Sequence, residues 1–153
     1  MDVAQSTFIS STFWTERIGP TAALKTLEVM DKTKSWELIT NTGKDIGNQW
    51  KNLGEKYQLP IKVNGLPSMI GFGIQSDDWL KYKTYITQEM LKNNILASNV
   101  IYVCTEHGPQ EIDNYFQILD PIFKVIAACE NGDLSVDSLL DGPVCQAGFT
   151  RLN

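Results

Sequence analysis

The densest set of hydrogen-bonding and charged groups in this chain lies just before its first apolar run. Ser10, Ser11, Thr12 and Thr15 carry hydroxyls, Glu16 and Arg17 carry opposite charges, and Ala22, Ala23, Leu24 and Leu27 follow in a helix-forming stretch. A helix N-terminus has unpaired N–H groups and the positive end of the helix dipole, so it favours an anion, and neighbouring hydroxyls add donors. Ser11 and Thr12 could serve such an anion. The same residues also have a purely structural use, in which Thr12 or Thr15 caps the helix. Arg17 offers a planar guanidinium for an anionic group, although a pair with Glu16 or a place in an interface would use it as well.

A second constellation is Cys104 with His107, the single histidine, three residues later. A thiol beside an imidazole suggests a nucleophile and its base, but such pairs are defined by geometry and no third orienting group accompanies them. Cys104 is therefore read as the end of a buried strand and His107 as part of the turn beyond it. Gly71 and Gly73 do not make a dinucleotide fingerprint, because residue 76 is Ser and the pair sits in an apolar strand rather than at a strand-to-helix turn. Close backbone packing or a bulge accounts for them better. Cys104, Cys129 and Cys145 form an odd set without CxxC spacing, which signals neither a disulfide framework nor a zinc site. No catalytic group and no metal-ligand set is assigned within the chain.

These groups must be held by a regular scaffold, and the periodicity supplies one. Residues 16–33 contain good helix formers with Gly19 and Pro20 near the start, where proline is tolerated. Ser35 can cap a second helix in which Ile46, Trp50, Leu53 and Tyr57 share one face. Gly43 and Gly47 argue against its continuity, since glycine costs about 1 kcal/mol relative to alanine inside a helix. Pro60 ends that region; residues 61–65 and 69–74 read as a hairpin. Ser76, Asp77 and Asp78 open a helix that runs to about Asn93, with Trp79, Tyr82, Ile86 and Met90 along one side. Residues 99–104 read as a strand. A long helix after Gly108 and Pro109 presents Ile112, Tyr115, Phe116, Leu119, Ile122, Phe123 and Ile126 on one face, with a bend expected at Pro121. The order implies an α+β fold, with helices packed on a small, largely antiparallel sheet.

Composition narrows the function. With 153 residues, 42% hydrophobic and 20% charged, the chain suits one globular domain with a sizeable core. A net charge of −5 and only two arginines, Arg17 and Arg151, give no electrostatic footprint for nucleic acid or an anionic membrane. No apolar run approaches the roughly 18 residues of a membrane helix, and no targeting succession opens the chain. A cytoplasmic location with reduced thiols is expected.

The segment from Phe8 to Leu24 resembles the one that follows the cofactor lysine in class III pyridoxal-phosphate aminotransferases, especially the branch similar to glutamate-1-semialdehyde aminomutase. The resemblance continues through Gly65-Leu66-Pro67-Ser68-Met69-Ile70-Gly71-Phe72, the stretch from Asn99 to His107, and the acidic, apolar helix beyond. It implies that residues 1–15 are an arm crossing from a large domain and that 16–153 form the C-terminal small domain of a fold-type I enzyme, as a fragment or truncated product. It implies further that Ser11 and Thr12 contact the phosphate of pyridoxal 5'-phosphate across a homodimer interface, and that the substrate is a small amino or keto compound. None of the eleven lysines stands where the family has its Schiff-base lysine, so the chain is expected to be inactive alone. Many members grip a substrate carboxylate with an arginine in the segment equivalent to 93–107. This chain has no arginine there, which favours the aminomutase-like or the sugar- and polyketide-type branches and leaves Arg17 as the candidate substrate contact. The alternative reading is a non-catalytic α+β binding or oligomerisation module, in which Phe8, Ile9, Phe13 and Trp14 form a sticky arm.

Overall fold

The computed structural model describes residues 16–148. The described residues divide into two compact units at Ser35, residues 16–35 and 36–148. In the first, helix α1 (Ile18–Thr33) buries none of its residues, and Ile18, Leu24 and Leu27 all face outward. It ends where Lys34 takes a left-handed backbone conformation, φ 50°, and its N–H closes on the Met30 carbonyl. Such a residue stops a helix because the chain can no longer follow the right-handed path.

The second unit holds the core. Helix α2 (Ser35–Tyr57), whose first residue closes the preceding unit, leads to strands β1 (Ile61–Leu66) and β2 (Met69–Ile74), helix α3 (Trp79–Lys92), strand β3 (Val100–Tyr102) and helix α4 (Pro109–Glu130). A short 3-10 turn, Val136–Ser138, follows. The three strands form one antiparallel sheet in the order β1-β2-β3. This is the α+β arrangement expected from the sequence.

Alternation along the strands explains which sheet face is covered. Ile70, Phe72 and Ile74 point inward and are buried. The register Leu66↔Met69↔Tyr102 puts three large apolar residues in a row on the other face, where all are exposed. Inside, Phe72 is the hub: its ring centroid lies 4.7 Å from that of Trp50 and 5.7 Å from that of Phe123. Trp50, Leu119, Phe123 and Ile126 are fully buried on the facing sides of α2 and α4. The Trp50 indole N–H donates to the Tyr115 hydroxyl at 3.2 Å, so its one polar group is satisfied in an apolar setting.

The glycines of α2 do not interrupt it; the helix is continuous over 23 residues. Their reason is proximity to the hairpin. A methyl group on Gly43 would meet the Pro67 carbonyl oxygen at 1.9 Å, one on Gly47 the Ile70 Cδ1 at 2.7 Å, and one on Gly54 the Ile61 Cδ1 at 2.8 Å. The propensity penalty is accepted because a bare backbone lets helix and hairpin close together.

Pro121 lies inside α4, which runs unbroken from Pro109 to Glu130. β3 is shorter than expected. Cys104 falls outside it and is exposed, whereas Val103 is the buried residue at that strand's end. The tail beyond α4, which reads as mere turns, is tied to α3 by its side chains. The Gln88 amide donates to the Leu139 carbonyl and accepts from the Asp141 N–H, and the Thr84 hydroxyl accepts from the Cys145 N–H. Lys92 adds an ion pair to Asp141 at 2.9 Å, and its ammonium is held protonated above the ordinary lysine range by hydrogen bonds to Asp141 and then Glu89.

Candidate functional site

The entrance to α1 carries the first group of expected site residues. Arg17 is its N-cap residue, exposed and without a side-chain capping bond of its own. The preceding residue does the capping. Ile18 N–H and Gly19 N–H both donate to the Glu16 carboxylate, the latter at 2.9 Å to Oε2. A carboxylate at the positive end of a helix dipole is well placed, and here it fills the backbone donors that an external anion would use. The Glu16 carboxylate thus caps this helix. Ser11, Thr12 and Thr15 lie outside the described residues.

The Cys104 and His107 pair is brought together, but through the wrong atoms for nucleophilic catalysis. The Cys104 backbone N–H donates to His107 Nδ1 at 3.2 Å. That bond spends the Nδ1 lone pair on the main chain and leaves Nε2 as the protonated nitrogen of the neutral ring. It pins the imidazole over the turn between β3 and α4. Among the described residues no group of histidine, cysteine, aspartate and glutamate side chains has the arrangement of a metal site. All three cysteines are free, and burial, followed by the Glu130 charge, pushes the Cys129 thiol above its ordinary range.

The pinned histidine borders a cavity of about 460 Å³ between β3, residues 95–97 and the first turns of α4. Its floor is apolar, with Ile46, Ile101 and Ile112; its mouth carries Tyr102, His107 and Glu111. Among the described residues no lysine or arginine lines it, in keeping with the absence of arginine from 93–107. A second, more open depression of about 540 Å³ lies between α2 and α4. There Asp120 accepts from Lys56 at 2.6 Å and from the Tyr57 hydroxyl at 3.1 Å, so that carboxylate is already matched. Sequence reasoning missed the first cavity because its walls come from α2, β3 and α4, which are far apart along the chain. It also passed over Glu16 as a cap, although an acidic residue just ahead of a helix is a recognisable signal.

No protein-family model matches the chain. Over 115 residues it is 24% identical to a 3-aminobutyryl-CoA aminotransferase of Cloacimonas acidaminovorans (strain Evry), a match covering 72% of this chain and 28% of that protein. Its fold matches the FumI protein of Sphingopyxis sp. MTA144, solved as a pyridoxal-phosphate internal aldimine, with a TM-score of 0.68 and 18% identity. That superposition covers 86% of this chain and 32% of the other. The chain resembles part of an aminotransferase, and its α+β fold is one found within a pyridoxal-phosphate protein. It spans about a quarter to a third of the length of these relatives. No helix among the described residues is long and apolar enough to cross a membrane.

Proposed function

We propose that this chain works as the small domain of a cytoplasmic, homodimeric pyridoxal-phosphate aminotransferase or aminomutase acting on a small amino or keto substrate. The observation that carries this reading is the sequence match to an aminotransferase over most of the chain, joined to a fold shared with a pyridoxal-phosphate protein. In such an enzyme the cofactor supplies an electron sink, and the protein orients and binds. The Schiff-base lysine would come from a large domain. Ser11 and Thr12 would donate to the cofactor phosphate of the neighbouring subunit. Arg17, exposed beside them in sequence, would offer its guanidinium to an anionic part of the substrate. The lack of arginine in 93–107 favours the aminomutase-like or the sugar- and polyketide-type branches over a plain ω-amino-acid enzyme.

Absorbance titration with pyridoxal phosphate tests the reading, using the chain alone and joined to a large-domain polypeptide carrying the lysine. Binding is expected only in the joined protein. A Thr12→Val change there should weaken it by about tenfold or more, the worth of one hydrogen bond to a charged group. Unchanged affinity would remove Thr12 from the phosphate site. A borohydride-reducible adduct on the chain alone would refute the external lysine.

A second reading, a non-catalytic binding or oligomerisation module, draws on the uncovered row Leu66, Met69 and Tyr102 on the outer sheet face. Exposed apolar patches of this kind mark association surfaces. Light scattering on the chain alone separates the two: stable self-association without cofactor favours the module.

A further inference from the structure

We propose that the free edge of β3, with the cavity beside it, binds an extended basic peptide segment of a partner polypeptide by strand addition. This inference is independent of any cofactor.

The ladder shows which backbone groups are available. Phe72 N–H donates to the Asn99 carbonyl at 3.0 Å and Val103 N–H to the Ser68 carbonyl at 2.9 Å, on either side of the register Ile70↔Ile101. In an antiparallel pair the hydrogen-bonded and non-bonded positions alternate. Ile101 therefore turns its N–H and C=O toward β2, while Val100 and Tyr102 turn theirs away from the sheet. β3 is the last strand in the order, and among the described residues no hydrogen bond reaches the outward groups of Val100 and Tyr102. They are spaced to receive one more strand.

The opposite edge lacks the accompanying features. β1 carries Lys62 and Asn64, the charged and polar side chains by which exposed edges discourage pairing. β3 has Val, Ile and Tyr only. All three border the cavity of about 460 Å³, across which the first turns of α4 present Ile112 and Glu111. An edge strand facing a helix across an apolar hollow suits an extended peptide, whose main chain bonds to the strand and whose alternate side chains enter the hollow.

Charge selects among such peptides. Glu111 is the one carboxylate lining the cavity; it is exposed and has no ion-pair partner among the described residues. Glu106 lies exposed in the preceding turn. No cation balances them in the lining, and the chain carries a net charge of −5. Lysine or arginine flanking an apolar residue is the complement.

The test uses the full chain and a fluorescein-labelled peptide of three central valines flanked on each side by two lysines, so that lysines lie on both faces of the added strand, followed by anisotropy. Binding is expected, and the glutamate-for-lysine peptide should not bind. Methylating every second backbone nitrogen, in each of the two phases, should abolish binding in one phase and spare it in the other. Glu111→Lys and Val100→Pro should each weaken binding by about tenfold; proline is tolerated at an outward-facing edge position, and circular dichroism checks that the fold survives. Methylated peptides that bind equally in both phases would overturn strand addition. So would failure of the lysine–valine peptide to bind folded chain. Self-association abolished by Val100→Pro would assign the edge to a second copy instead.

Discussion

Gly43 of α2 sits against Pro67 of the β1–β2 turn so closely that a methyl group on it would lie 1.9 Å from the Pro67 carbonyl oxygen. The obstacle is backbone, which cannot rotate away as a side chain can. Gly43→Ala should therefore destabilise the protein by about 2 kcal/mol or more, because overpacking outweighs the roughly 1 kcal/mol that alanine gains in helix propensity. Gly142, with open space around it and no positive φ, is the control: alanine there should leave the urea midpoint unchanged. Equal midpoints for the two variants would show that the hairpin yields at no cost.

Tyr115 gives the second expectation. Its hydroxyl accepts the indole N–H of Trp50, a residue with no exposed surface. Tyr115→Phe keeps the ring and leaves that N–H without a partner, so unfolding free energy should fall by about 1–3 kcal/mol. Denaturant unfolding measures it. A loss within error would mean that water replaces the hydroxyl.

Alkaline pH should unfold the protein through buried phenols. Tyr82 is buried and donates to Glu130 at 2.6 Å; burial first, then the Glu130 bond, hold its phenol well above the ordinary 10.0. Burial likewise raises Tyr115 and Tyr85. An acid whose folded pKa exceeds its unfolded value contributes stability that is complete below the unfolded pKa. That contribution is lost as pH climbs toward the folded one, since the unfolded chain gives up its proton first. Lys92, raised through Asp141 and Glu89, acts in the same direction. The urea midpoint should thus fall from about pH 10 upward, and less steeply in Tyr82→Phe than in the parent. A flat profile through that range would contradict the buried phenols.

Much of the scaffold was legible in the chain because its signals are local. The period of Ile112, Tyr115, Leu119, Ile122, Phe123 and Ile126 marks the buried face of α4, and the hairpin follows from two short apolar runs around a turn. Gly43 and Gly47 misled because their cost is local and their benefit is not: only contact with Pro67 and Ile70 gives them a reason. Cys104 misled in the opposite sense. A strand pattern over 99–104 suggested burial, yet pairing with β2 ends at Tyr102 and leaves the thiol exposed.

The sequence by itself determined the α+β class, the positions of the helices and hairpin, and the likeness to aminotransferases, since each is written in short-range pattern. Tertiary structure alone decided how the tail is strapped to α3, which sheet face is exposed, and how β3, α2 and α4 enclose a cavity with the Glu111 carboxylate at its mouth. Those features join residues tens of positions apart, and no local periodicity encodes the distance between them.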